Sequence, residues 1–234
     1  MRKRLFIFII LIIFLGFLSY YLEDNQQKIG YLKKKAFVIK VIDGDTLDID
    51  NERIRLLGVN TPEKGKQGYK EAFDYLKTIE NKSIYVLRDI EDEDKYNRKL
   101  RYVFFESQLI NADILQKGLG TLFMNNNLKY EDKLIIAENF ARENELGLWK
   151  KSKDKCAFCI ELLELDYNEE FFILKNNCNF KCEDLEVKDN ANHFFKIELK
   201  ANESFKQISK NIWNNEGDRF FLRDSNGLIL YYEY

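Results

Sequence analysis

The chain has 234 residues, of which 45% are hydrophobic, 15% aromatic and 32% charged, and 37 basic against 39 acidic side chains leave a formal net charge of -2. That apolar share fills real cores and excludes a disordered or low-complexity scaffold, and near-neutrality means that a nucleic-acid partner is gripped by locally placed cations, not by the field of the whole molecule. A single histidine, His193, excludes sites built from several imidazoles, and its own expected place is surface or partly buried, not metal ligand.

Leu5 to Leu22 read LFIFIILIIFLGFLSYYL, uncharged and preceded by Arg2, Lys3 and Arg4. As a helix rising about 1.5 Å per residue this stretch is roughly 27 Å long, close to the hydrocarbon thickness of a bilayer. The expectation is a single-pass anchor at the cell membrane over 5–22. No small-x-small cleavage site stands at Gly16 to Tyr20, as a removed signal peptide requires. The basic flank 1–4 favours a cytoplasmic N-terminus and an extracytoplasmic body, although Lys28, Lys33, Lys34 and Lys35 follow on the far side. Residues 23–35 read as a linker.

From Ala36 the pattern turns to short β-rich runs: AFVIKVI, TLDID, RIRLLGV, SIYVL and LRYVFF. Their spacing predicts five strands, with Gly44 and Gly58 where the backbone bends or is closely approached. Tyr69, Ala72, Phe73, Leu76 and Ile79 recur at helical spacing. A second helix is expected around Asn111 to Lys117 and a third over Tyr130 to Glu145, with Gly147 placed to end it. Five strands plus about three helices over 36–150 make a Greek-key barrel of the OB type, so the fold class is mainly β with α.

After a lysine-rich joint at 151–159, strand-like runs resume without a helix: CIELLEL, FFILKN, LEVKD, FFKIELK, RFFLRD and LILYYEY. Turn signals stand at Asn176-Asn177, Asp189-Asn190, Asn214 to Gly217 and Ser225 to Gly227. Residues 160–234 are expected to form an immunoglobulin-like antiparallel β-sandwich.

Three stretches of the barrel unit carry chemistry: VIDGDTLDI, with Asp43 and Asp45 around Gly44; RIRLLGVNTPE, with the only proline, Pro62; and DKYNRKLRY. Pro62 fixes its own φ and restricts Thr61, which stiffens the turn from which Glu63 projects. Taken singly, such aspartates read as turn formers and such arginines as solvated strand residues. The ordered set DGDT, RLLGVNTPE, DKYNR and the close AENFARENELGLW resembles the thermonuclease (staphylococcal nuclease) family.

The resemblance implies a catalytic trio of Arg55, Glu63 and Arg98. It further implies a Ca²⁺ ion held by Asp45, Asn60 and the Thr61 carbonyl, with Asp43 close by. The implied reaction is Ca²⁺-dependent hydrolysis of phosphodiester bonds in DNA and RNA with little sequence preference. The residue types suit it: two always-charged guanidinium forks grip phosphoryl oxygens, a carboxylate orients or deprotonates water, and calcium takes oxygen ligands from converging loops. Asn60 departs from the family's aspartate and predicts a weaker or less selective calcium site.

Lys95 and Tyr96 stand where the family contacts nucleotide, whereas Met124, Asn125 and Asn126 replace stacking tyrosines. The acidic run Glu91 to Asp94 reads as a solvated loop or a calcium attractor. A noncatalytic module that binds nucleic acid or protein through the same barrel is the first alternative reading. An envelope protein whose sandwich is the working part is the second.

The ending IWNNEGDRFFLRDSNGLILYYEY, with FFILKNNCNFKCEDLEVKD before it, resembles a lamin-tail domain and implies binding or tethering, with no chemistry of its own. Cys156 and Cys159 form a C-x2-C pair, and Cys178 and Cys182 a C-x3-C pair. Two disulfides, one Zn²⁺ site and free core thiols all remain open.

Overall fold

The computed structural model describes residues 13–16, 33–123, 128–191, 193–210, 212–215 and 217–234. Of the apolar segment expected to span a bilayer, only residues 13–16 are described, and these are helical and exposed. The rest of that segment and Met124, Asn125 and Asn126 lie outside the described residues. Among the described residues no helix is long and apolar enough to cross a membrane.

The first unit is a closed barrel. Strands β1 (Lys34–Val41), β2 (Thr46–Ile49), β3 (Glu52–Leu56), β5 (Ser83–Leu87) and β6 (Lys99–Phe105) form its wall, and the two-residue β4 (Val59–Asn60) lies after β3. The sheet runs β3-β2-β1-β5-β6, and β3 pairs in parallel with β6 to close it. The short strands β7 (Gln108–Leu109) and β8 (Thr121–Leu122) pair with β6 and β4. Alternating side chains supply the core: Val38, Leu47, Ile54, Leu56, Ile84 and Val103 are buried to 4% exposure or less.

Three helices cover the barrel: α1 (Tyr69–Lys77), α2 (Ile110–Gln116) and α3 (Glu131–Glu143). Leu76, Ile114, Leu115 and Leu134 bring their apolar stripes into the same core. The third helix stops before the residue expected to end it. Asn144 caps it and Glu145 takes the left-handed turn at φ 52°, so Gly147 does another job. A Cβ on Gly147 would lie 2.3 Å from the Gly118 carbonyl oxygen, because the chain crosses itself there at backbone contact.

The second unit is two antiparallel sheets. One has the order β13-β10-β9 and the other β12-β11-β14-β15, where β9 is Ile160–Asp166, β10 Phe171–Asn176, β11 Cys182–Lys188, β12 Phe194–Leu199, β13 Ser204–Ile208, β14 Arg219–Asp224 and β15 Gly227–Glu233. Phe172, Leu174, Leu185, Val187, Leu199, Phe220 and Leu222 share one core between the sheets. The run SFKQI, now β13, was not expected as a strand. It is a half-exposed edge whose Lys206 and Gln207 dilute the alternation.

Asn176, expected in a simple turn, is instead fully buried. Its amide donates to the carbonyls of Phe180, Leu199 and Lys200 and its side-chain oxygen accepts from Cys178 N–H, so it ties a sharp corner together. The cysteines join across this corner as Cys156–Cys182 and Cys159–Cys178, with Cα separations of 5.9 and 5.4 Å. Both are ordinary spans for disulfides. The Sγ atoms of Cys159, Cys178 and Cys182 lie within 4.8 Å of one another.

The two units pack closely. Ala141 and Trp149 from the barrel side cluster with Phe221 and Leu228 of the sheet. Arg219 of β14 reaches Glu138 of α3 at 2.9 Å, and Glu138 also accepts from Leu122 N–H at 2.6 Å. Gly227 lies under the joint: Leu228 and Lys150 to Ser152 exchange backbone hydrogen bonds, and a Cβ at 227 would sit 2.4 Å from the Lys150 oxygen.

Candidate active site

Register places the site. Thr46 pairs with Arg55 across β2 and β3, and the parallel pairing of Arg55 with Leu100 brings the turn before β6, with Arg98, to the same end of the barrel. The loop between β1 and β2 is held tight by Ile42 and Asp43 N–H on the Thr46 carbonyl. Its glycine is required by space: a Cβ at Gly44 would meet Thr61 Oγ1 and Ala72 Cβ at 2.7 Å.

One cavity of about 280 Å³ is lined by Asp43, Asp45, Arg55, Asn60, Thr61, Glu63, Tyr96 and Arg98. The structure therefore brings together the trio and the oxygen donors expected from sequence. Lys95 lies outside this lining but lines the larger neighbouring groove with Tyr96 and Arg98. Its ammonium is 5.2 Å from the Tyr96 ring centre, and the Arg98 guanidinium is 5.4 Å from it.

Asp45 is the hub. One of its oxygens takes Arg55 Nη1, in a short contact, and Thr46 Oγ1 at 3.1 Å; the other takes Thr61 N–H at 2.9 Å and Thr61 Oγ1 at 3.1 Å. Arg55 also donates to the Val59 carbonyl at 3.1 Å and to Asn60 Oδ1 at 3.3 Å. Arg98 is held by Asp94 at 2.7 Å and donates to Thr46 Oγ1 at 3.3 Å. Thr46 thus links the two arginines through Asp45. Its only sequence signal was the last letter of DGDT.

Burial, and then the nearby Asp45 carboxylate, raise the Asp43 carboxyl to about 6. Two carboxylates crowded this closely, with Asn60 and Thr61 lining the same cavity, form a donor set suited to a hard cation such as calcium.

Residues 53–151 match the family described as staphylococcal nuclease homologue. The chain is 33% identical over 124 residues to the thermonuclease of Staphylococcus hyicus, covering 48% of this chain and 73% of that protein. To the thermonuclease of Staphylococcus intermedius it is 34% identical over 133 residues, covering 51% and 79%. To endonuclease YncB of Bacillus subtilis it is 32% identical over 151 residues, covering 56% and 72%. The chain belongs to the staphylococcal nuclease family.

As a member of that family it is a hydrolase of the nuclease type. Within this nuclease barrel, the acidic run 91–94 is exposed at Glu91 and Glu93, as a solvated loop would be, while its two aspartates are engaged by neighbouring groups. Asp92 binds Lys99 at 3.0 Å and Arg101 at 2.8 Å, and Asp94 Oδ1 caps the turn by accepting from Tyr96 and Arg98 N–H. Hydrogen bonding to those cations and N–H groups outweighs burial and holds both carboxyls below their usual range. The loop is a clamp that aims Arg98.

The sandwich also reaches the nuclease site, which the sequence did not disclose. Asn60 Nδ2 donates to the carbonyls of Asn190 and Ala191 at 3.3 and 3.4 Å. Half-exposed His193, joined to Asp189 at 2.6 Å, lines the same groove as Arg55 and Arg98.

Proposed function

We propose that this chain is a calcium-dependent nuclease that hydrolyses phosphodiester bonds of DNA and RNA with low sequence specificity. In this reading it is held at the cell membrane by its N-terminal apolar segment, with the barrel outside. The observation that carries the catalytic part is the convergence of Arg55, Glu63 and Arg98 with Asp43 and Asp45 on one cavity.

The chemistry follows from those positions. Arg55 and Arg98 sit with their forks oriented by Asp45 and Asp94, and each guanidinium keeps N–H donors for phosphoryl oxygens, where negative charge grows during attack. Glu63 stands exposed at the mouth, just after Pro62, able to orient a water and take its proton. Asp43, Asp45, Asn60 Oδ1 and the Thr61 carbonyl would hold the calcium, which when bound supplies positive charge beside the scissile phosphate. Lys95 and Tyr96 would flank the neighbouring nucleotide, ammonium on phosphate and ring on sugar or base.

The sandwich, read as lamin-tail-like, serves as a binding or tethering module of the anchored protein. Its four cysteines serve as disulfides outside the cell; a Zn²⁺ ion on the same sulfurs is the alternative that metal analysis with thiol titration separates.

The test is digestion of single- and double-stranded DNA and of RNA by the detergent-solubilised chain, with calcium and with chelator. Calcium-stimulated degradation without marked sequence preference is expected, and Glu63→Gln should lower the rate by about 10²–10⁴. Intact substrate in every condition would favour the noncatalytic binding module.

A further inference from the structure

The barrel and the sandwich enclose a second cavity, of about 340 Å³, which shares the Asn60 to Pro62 turn with the catalytic cleft. This volume lies in the range, about 300–1,000 Å³, of pockets that take small organic ligands. Its sandwich side carries Lys188, Arg223 and Phe194.

The two cations are partnered unusually. Lys188 Nζ donates to the carbonyls of Asp189 at 2.9 Å and Asn190 at 3.5 Å, and Arg223 Nη1 donates to the Leu148 carbonyl in a short contact. Neither makes an ion pair among the described residues. Of the three acids of the lining, Asp184 is exposed, Glu186 binds Lys66 at 2.7 Å, and Asp224 accepts from the Ser152 hydroxyl and from Asn226 and Gly227 N–H. Burial draws Lys188 down to about 8 and Arg223 to about 10, each against its preference for charge. Beyond these carbonyls the two cations have, among the described residues, only ring faces, Lys188 5.8 Å from the Phe194 centre and Arg223 5.6 Å from that of Phe221, and carboxylates that act without an ion pair, and an anion placed between the two relieves both.

We propose that this cavity is a nucleotide subsite of the nuclease, in which Lys188 and Arg223 hold a phosphate of the substrate strand beyond the bond being cleaved and Phe194 forms the apolar wall. The subsite rests on the nuclease reading and deepens it. An ammonium and a guanidinium fork suit phosphate oxygens, and the shared turn makes the two cavities neighbours, as successive nucleotides require. The family match over residues 53–151 does not reach the subsite's cations, which come from the sandwich.

The experiment compares Lys188→Gln, Lys188→Arg and Phe194→Ala with the wild-type chain. The substrates are a fluorescent single-stranded 12-mer and a chromogenic thymidine phosphodiester that fills the catalytic cleft alone. In Lys188→Gln, KM for the 12-mer should rise about tenfold more than KM for the small substrate, the effect of losing one charge-assisted hydrogen bond. Lys188→Arg should retain the wild-type KM, and Phe194→Ala should shift in the same direction as Lys188→Gln. An unchanged KM for the 12-mer in Lys188→Gln, or an equal rise for both substrates, overturns the subsite. If the wild type cleaves neither substrate, the nuclease reading fails. Fluorescence-anisotropy titration of the same 12-mer then decides the subsite: weaker binding by Lys188→Gln supports it, and equal binding overturns it.

Discussion

Asn60 answers to two demands at once. Its side-chain oxygen accepts from Arg55 at the cavity that Asp43 and Asp45 also line, and its NH₂ group donates to two carbonyls of the sandwich loop. An aspartate can serve the first demand but not the second, since it has no donor and sets a charge against the Asn190 and Ala191 oxygens. Asn60→Asp should therefore tighten calcium activation and lower stability by about 1–3 kcal/mol, the cost of leaving buried acceptors unmade. Calcium titration of activity and thermal melting check the two effects; tighter calcium with unchanged stability would show that the loop contact is idle. A second residue-scale effect belongs to Lys188, which is pushed down to about 8 from the ordinary lysine value of 10.5, with burial the main cause, Arg223 adding to it, and Asp189, Asp218 and Glu186 opposing. The sign follows: between those two values the unfolded chain binds the proton that the folded chain has released, so this group makes stability rise with pH there and contributes no slope below about 8. Tyr75, Tyr102, Tyr231 and Tyr234, raised chiefly by burial, pull the other way above about 10. The clean readout is the difference in Tm between wild type and Lys188→Met, which should shrink from pH 8 to 10.

At the scale of elements, strands long enough to show a pattern were legible, and two-residue or diluted edge strands were not. Val38, Leu47, Ile54 and Ile84 mark their strands by alternation with polar neighbours, whereas β13 offers a half-exposed edge and β4 and β8 consist of two residues each. The site was readable for a different reason: DGDT, RLLGVNTPE and DKYNR are local segments whose residues act where they stand. What stayed hidden spans distance. The Asn60 contact with the sandwich crosses 130 positions of chain, and no local pattern marks a carbonyl that will be used so far away. The same holds for the buried pair between α3 and β14. Glu138 and Arg219 are 2.9 Å apart with side-chain exposures of 2% and 11%, and Glu138 also accepts from Leu122 N–H in β8, next to the strand that carries Asn60. Arg219→Met leaves a buried carboxylate without its counter-charge and should cost about 3–5 kcal/mol. Adding Glu138→Gln, which keeps the Leu122 hydrogen bond, should restore most of it. Urea melts of the single and double variants check this, and additive losses would deny the coupling.

Across the whole molecule the barrel and the sandwich are joined by an apolar cluster, a buried ion pair and a backbone strap, so damage to the sandwich is expected to reach the cleavage site. The disulfides offer a way to apply that damage without mutation. Cys156–Cys182 and Cys159–Cys178 have sequence separations of 26 and 19. A loop of this size restrains the unfolded chain by about 3 kcal/mol in the chain-entropy view, but the second loop lies inside the first, so the two together contribute less than their sum. Reduction should lower the melting temperature of the sandwich. It should also loosen the Asp189 to Ala191 loop on Asn60 and weaken calcium activation before the barrel itself melts. Chelator without reductant separates the sulfur chemistries, since it leaves disulfides intact but strips a zinc ion and unfolds what the ion held. Thermal melts and calcium-activation curves, recorded with reductant, with chelator followed by calcium readdition, and with neither, check the chain of effects. Loss of calcium activation only after the barrel has melted would show that the sandwich does not support the site.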